Sequence, residues 1–161
     1  MAAFRHRILA SPRSWCDVAD VQRVQRVPDL LLPYIDRWTV QEPSLVDLQI
    51  VESMQEQMDA GLAWLFRHGD AYSFMRRMTP WVADMHLYNL GSAWGMVKSC
   101  RAITRHALGM FAKLEARTHD KRIGDMIVRC GWKQEAVYEH AFCTRDGQFL
   151  DEYGYGIWAK S

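Results

Sequence analysis

At 161 residues, 49% hydrophobic and 24% charged, the chain has the length of one globular domain and enough apolar content to close a core. Lysine and arginine number 20 against 19 aspartate and glutamate, a formal charge of +1, so no global field favours nucleic acid, an anionic membrane or an acidic substrate. Cys16, Cys100, Cys130 and Cys143 form no CxxC and no zinc spacing, and read as partly buried thiols in a reducing compartment.

The N-terminal stretch MAAFRHRILASPRSW lacks the apolar core of a signal peptide. No window approaches the ~18 apolar residues of a membrane span. A soluble, cytoplasmic protein is expected, with neither nucleic acid nor membrane as a partner. Residues 4–10, FRHRILA, read as a short strand ended by Ser11-Pro12. Ser14 then caps a helix through WCDVADVQRVQRV, with Trp15, Val18, Val21 and Val24 (or Gln25) on one face. Pro28 stops it, and DLLLPYIDRW is a second helical piece broken at Pro33. Ser44 opens SLVDLQIVESMQEQMDAG, where Leu45, Leu48, Val51, Met54 (or Gln55) and Met58 recur at helical spacing until Gly61.

The period then shortens. LAWLFRHGDAYSFMRRM holds two apolar-aromatic runs around His68-Gly69-Asp70, a hairpin turn. After Thr79-Pro80, WVADMHLYNL is a third strand, with Val82, Asp84, His86 and Tyr88 on one side and Ala83, Met85 and Leu87 on the other. Gly91-Ser92 leads into the helix AWGMVKSCRAITRHALGMF. KLEARTH is a strand, DKRIGDMIVRCG a short helix ended by Gly131, and a long hairpin turning at Arg145-Asp146-Gly147 closes the chain. The order β, α, α, α, β, β, β, α, β, α, β, β, with no repeat or linker, predicts one mixed α/β domain over residues 1–161.

Chemistry is sparsely signposted. There is no GxSxG elbow, P-loop or GxGxxG. His86, His106, His119 and His140 have no metal-ligand spacing, and the seven tryptophans read as core and pocket walls. Asp84 and His86 lie two apart on one strand and so share a face. Either suits a general base, histidine having the unperturbed pKa nearest neutrality. An ordinary polar strand face is the alternative.

The tail carries a resemblance. Asp120, Gly131-Trp132, Glu135, Asp146-Gly147, Asp151 and Tyr153 to Tyr155 stand where GCN5-related N-acetyltransferases place an Asn-led helix, a Gly-Phe step, an acidic residue, a DG turn, an Asp and an aromatic strand. With the element order, residues 80–158 resemble that superfamily, and the earlier part resembles it in topology alone. The string TRDGQF is also similar to the tails of phage internal virion proteins with an acetyltransferase-like fold.

The resemblance implies a twisted, mostly antiparallel mixed sheet flanked by helices, opening as a V between strands 80–90 and 112–118. It implies acetyl-coenzyme A as cofactor and an amine of a protein or small molecule as acceptor. Leu87, Tyr88, Asn89, Ser92, Trp94, Gly95, Met96, Val97, Lys98 and Asp120 would hold the cofactor, its pyrophosphate on the amides opening helix 92–110, and Asp84 or His86 would take the amine proton. The family hexamer Gln/Arg-x-x-Gly-x-Gly/Ala aligns with SAWGMV, in which only Gly95 matches and Trp94 and Val97 are large for a phosphate cradle. Asp120 replaces an Asn and is read as a helix cap, and Glu115 is a strand carboxylate that can face the cleft. Ile127 stands where a Tyr acid is usual, leaving Tyr88, Tyr138 or Tyr153 as substitutes. Two functions follow: an acyl-coenzyme A-dependent N-acyltransferase, or a fold-retaining protein that binds a protein partner without catalysis.

Overall fold

The computed structural model describes residues 18–31, 43–144 and 147–160, and for residues 18 and 43–49 the backbone alone. The expected strand at 4–10, the helix start at Ser14, Trp15, Cys16, Trp38 and the Arg145-Asp146 part of the last turn lie outside the described residues. Within them are β1 (Gln22–Val24), α1 (Pro43–Asp59), β2 (Ala63–His68), β3 (Ala71–Arg77), β4 (Val82–Asn89), α2 (Ala93–Leu108), β5 (Lys113–Thr118), α3 (Lys121–Arg129), β6 (Lys133–Cys143) and β7 (Phe149–Trp158). Short 3-10 turns at Val18–Asp20 and Asp29–Leu31 flank β1.

The strands form one seven-stranded sheet in the order β1-β2-β3-β4-β5-β7-β6. Every neighbouring pair is antiparallel except β4 and β5, which run parallel because α2 carries the chain back across the sheet. Alternation along each strand feeds two cores, one on each face. On one face Phe66, Met75, Ala83, Met85, Leu114 and Tyr155 pack under Ile103 and Ala107 of α2 and Ile127 of α3. On the other, Leu65, Tyr72 and Phe74 meet Leu31 and the Met54 and Met58 stripe of α1. The face division expected for β4 holds, with Leu87 against the first core and Tyr88 against the second.

One early element differs from expectation. The helix predicted through residue 27 gives way to the edge strand β1, paired with β2 through Gln22–Arg67, Arg23–Phe66 and Val24–Leu65. Val21 and Val24 share a face at helical spacing, yet in the structure Val21 packs on the first core and Val24 on the second. β-Branched side chains tolerate either conformation, and sheet pairing decides. Gln55 of α1 then clamps the segment, accepting from the Val27 amide at 3.2 Å and donating to the Gln25 carbonyl at 3.1 Å.

The closing hairpin is anchored at its start. Gly131 has φ 100°, which stops α3, and Trp132 turns inward, 3% exposed, donating from Nε1 to Thr104 Oγ1 at 3.3 Å. Trp64 packs edge-on against Phe111 as expected for a core residue, but Trp81, Trp94 and Trp158 are exposed because each sits at the end of its element. Cys100 and Cys130 are buried and unbridged, facing each other between α2 and α3 with Cys143 half-buried elsewhere. The hydrogen bond that Cys100 donates to Cys130, then burial, pushes the Cys100 thiol up. Among the described residues no helix is long and apolar enough to cross a membrane.

Candidate active site in the strand splay

β4 and β5 pair only through Val82–Lys113, Ala83–Leu114 and Asp84–Glu115. Beyond that point β4 continues to Asn89 and β5 to Thr118 with no pairing between them. The V expected between these strands is therefore present. A backbone edge inside a sheet, left without its partner, accepts an extended ligand as a strand would.

Asp84 and His86 stand at the fork. His86 Nε2 lies 3.0 Å from Asp84 Oδ2, and Arg76 of β3 lies 3.3 Å from the same oxygen. The β3–β4 register puts Arg76 opposite Asp84, which supplies the guanidinium. Burial pushes the Asp84 carboxyl up, but the His86 hydrogen bond and the charges of His86, Arg76 and Arg117 outweigh it and hold the group below the usual carboxylate range. Asp84 is thus a fixed carboxylate, a poor proton acceptor at neutral pH. His86, half exposed and tethered through one nitrogen, keeps the other for chemistry.

The same sheet face continues as paired charge. Lys113 bridges Glu115 at 2.8 Å and Glu135 at 2.7 Å, and Arg117 pairs with Glu152 at 3.5 Å while lying 4.5 Å from the Tyr138 ring centre. Glu115 does face the Asp84 side of the sheet, with Lys113 as its partner. Tyr88 is buried enough, and near enough to Asp84, that its hydroxyl is pushed up to about 12.

At the α2 entry, Ser92 caps the helix, its Oγ accepting from the Gly95 amide at 3.1 Å. Asn89 Nδ2 donates to the Gly91 and Ser92 carbonyls at 2.9 and 3.3 Å and so shapes the loop. Among the described residues the Ala93 and Trp94 amides meet no acceptor, leaving two donors at the positive end of the helix dipole. Lys98 is exposed one turn further on, and Met96 is half-buried. Neither large residue of SAWGMV obstructs this end: Trp94 is 79% exposed, and Val97 packs against the first core. The opposing charge is Asp70, so close that a Cβ on Gly91 would meet its Cβ and Oδ2 at 3.0 Å. Two amides and an ammonium fit one pyrophosphate in spite of that carboxylate.

Asp120 is the expected cap of α3. It accepts from the Arg122 amide at 2.9 Å and pairs with the Arg122 side chain at 2.8 Å, which together hold its carboxyl down at about 2. It is turned to Arg122 rather than offered to a phosphate. Ile127 is buried in the first core, so no side chain takes the place of a hydroxyl there. Tyr153 also packs on that core, and Tyr138 lies exposed on β6. The histidines do not converge: His106 stacks edge-on with Phe66, His119 lies flat on Phe142, and the His140 amide is bound by Asp151 at a bulge. Among the described residues no three ligand-type side chains gather as a metal site. Sequence reasoning missed Arg76 and Arg117, whose place beside Asp84 depends on the register of β3 and β5.

No family model and no curated protein matches the sequence. Solved structures do match. The spermidine N-acetyltransferase from Vibrio cholerae, in complex with CoA and spermine, superposes with TM-score 0.62 and 12% identity over 88% of this chain and 96% of its own. RimL, a ribosomal L7/L12 alpha-N-protein acetyltransferase in complex with coenzyme A, gives 0.64 and 12% over 86% and 94%. The microcin C7 self-immunity acetyltransferase MccE, with acetyl-CoA and AMP, gives 0.63 and 11% over 86% and 92%. The chain has the GCN5-related N-acetyltransferase fold, as the tail resemblance implied. The phage likeness has no counterpart among these structures.

Proposed function

We propose that the chain is a divergent GCN5-related, acyl-coenzyme A-dependent N-acyltransferase, moving an acetyl group to an amine of a protein or small molecule. The observation that carries this is the fork of β4 and β5 with His86 held by Asp84 at its edge. The Ala93 and Trp94 amides and Lys98 would hold the pyrophosphate, and the open edge of β4 from Leu87 to Asn89 would take the arm of the cofactor. Acetyl-coenzyme A, when bound, supplies an activated thioester. The solved neighbours that bind coenzyme A act on a polyamine and on a protein N-terminus by their names, which supports an amine acceptor.

In this reading His86 is the base and Asp84 positions it. With its Nε2 proton donated to Asp84, His86 keeps Nδ1 as the acceptor for the amine proton. Arg76 balances the carboxylate and fixes it in place. Tyr88, held protonated by its raised pKa of about 12, is the O–H donor on β4. The adjacent, unbridged Cys100 and Cys130 suit a reducing compartment such as the cytoplasm.

A second reading rests on Ile127, an apolar residue buried where the resemblance calls for a hydroxyl, and on Asp70 beside the α2 entry. In it the fold serves as a scaffold for a protein partner. Calorimetry with acetyl-coenzyme A and coenzyme A separates the two. Micromolar binding, about −8 kcal/mol, is expected, followed by transfer to spermidine or to a peptide with a free N-terminus. Absence of binding at millimolar ligand would remove the acyltransferase reading. Binding with transfer unchanged in His86→Ala would remove His86 as the base.

A further inference from the structure

The C-terminal halves of α2 and α3 and the end of β7 line an open groove of about 1160 Å³. Five of its residues are cationic: Arg101 and Arg105 on α2, Arg129 ending α3, Lys133 opening β6, and Lys160 after β7. All five are exposed, and no aspartate or glutamate lines the groove. Among the described residues, Arg101, Arg129, Lys133 and Lys160 have no carboxylate partner.

Helix C-termini attract cations, and Arg101 does donate to the Arg129 carbonyl at 2.7 Å. Two helix ends, though, offset only about one unit of charge between them. The remaining surplus is large for a chain of formal charge +1. A concavity with one sign of charge focuses its field on a ligand of the other sign.

We propose that this groove binds a compact polyphosphate. The guanidiniums of Arg101 and Arg129 offer donors in the planar geometry that phosphate oxygens accept, and the ammoniums of Lys133 and Lys160 add point charge. Leu108 and Ile157 are apolar lining, and Trp158, 59% exposed with Lys113 over its ring at 5.0 Å, stands at the rim, where a nucleobase can stack. The source of the phosphates is therefore either a nucleotide or inorganic polyphosphate. A long nucleic acid fits less well. Its charges recur every ~1.7 Å and call for an extended basic stripe, whereas Lys113, the next cation past Trp158, is already paired with Glu115 and Glu135.

The groove is separate from the splay. In the β5–β7 register Lys113 pairs with Trp158 at the groove end and Thr118 with Tyr153 at the splay end, about 17 Å away for a strand of six residues. α2 spans both, its first turn at the splay and its last two turns in the groove.

The test is calorimetry with sodium tripolyphosphate and, separately, with ATP, at low and high salt. Micromolar binding at low salt is expected, weakening at least tenfold at high salt. The triple variant Arg101→Glu/Arg129→Glu/Lys133→Glu should lose it, and the gentler Arg101→Gln/Arg129→Gln/Lys133→Gln covers the case in which the reversal does not fold. Lys98→Glu, at the other end of α2, removes any weaker binding at the helix entry and should leave the groove component in place. ATP binding more tightly than tripolyphosphate, with the advantage lost in Trp158→Ala, would identify a nucleotide; equal affinities would identify the inorganic source. The proposal is overturned if neither ligand binds at millimolar concentration, if binding survives in the folded triple variant, or if it is Lys98→Glu that abolishes it. A short oligoribonucleotide binding where neither polyphosphate does would overturn it as well.

Discussion

The splay of β4 and β5 and the groove at the end of α2 present surfaces of opposite character. At the splay, the charges around His86 are matched: Asp84 takes both His86 and Arg76, and Arg117 takes Glu152. In the groove, cations from α2, α3, β6 and the chain beyond β7 gather with no aspartate or glutamate in the lining. A matched cluster holds each group in one orientation, which suits moving a proton. A cluster of one sign gains most when a ligand of the other sign arrives. On the two proposals, the one region acts on a molecule and the other holds one.

That contrast is open to a double dissociation, which carries the largest expected effect. His86→Ala should lower acyl transfer by ~10²–10⁴-fold while tripolyphosphate affinity stays unchanged. The groove variants should do the reverse. Asp84→Asn should fall between, about tenfold down in kcat, because an amide still fills the space but no longer secures the Nε2 proton of His86. A steady-state pH profile checks the role: loss of a positioning carboxylate alters the profile, whereas simple damage to packing lowers it evenly.

The next effects are on stability. Gly124 lies on α3 where an added Cβ would run into the Tyr155 hydroxyl, and Tyr155 is itself buried. Gly124→Ala gains about 1 kcal/mol of helix propensity yet overpacks a rigid ring, at a cost of ~1–3 kcal/mol. A lower melting temperature is the expected sum, and an unchanged or higher one would mean the α3–β7 contact is looser than it stands. Val97→Gly is instructive in another way. It restores the second small residue of the family hexamer, but Val97 packs on the first core and its carbonyl receives the Cys130 thiol at 3.8 Å. About 2 kcal/mol of stability should be lost, with no gain in acetyl-coenzyme A affinity by calorimetry.

Val97 also marks what the sequence could tell. Its size was visible, its direction was not, because which face of α2 lies on the sheet follows from packing. Asp84 and His86 were legible as a pair since strand alternation alone sets them on one face. Arg76 was not, being eight residues from Asp84 and joined to it only by register. The strands from Ala63 onward stood out through their period and turns, whereas Val21 and Val24, at and beside β1, obeyed two periods at once. The groove was invisible for the same reason as Arg76: its cations come from α2, α3, β6 and the chain beyond β7, and no stretch of sequence is notably basic.

The smallest expected effect concerns Asp120, and it sharpens the comparison at the splay end. Asn caps a helix about as well as Asp, so Asp120→Asn keeps the bond to the Arg122 amide and removes only the charge that pairs with the Arg122 side chain. A carboxyl held down at about 2 in the folded chain stabilises it above the ordinary value of ~3.9, and that contribution is lost as pH falls from ~4 through 2. The wild type should therefore lose denaturant resistance across that window slightly more than the variant. The difference is small because Arg122 is 91% exposed and solvent screens the pair. Measured urea midpoints at pH 7 and pH 3 decide it. A large gap between the two proteins at pH 7 would show that Asp120 does more than cap. Tighter acetyl-coenzyme A binding by the variant would show that its carboxylate stands near the path of the pyrophosphate, as an Asn at that position of the family would not oppose.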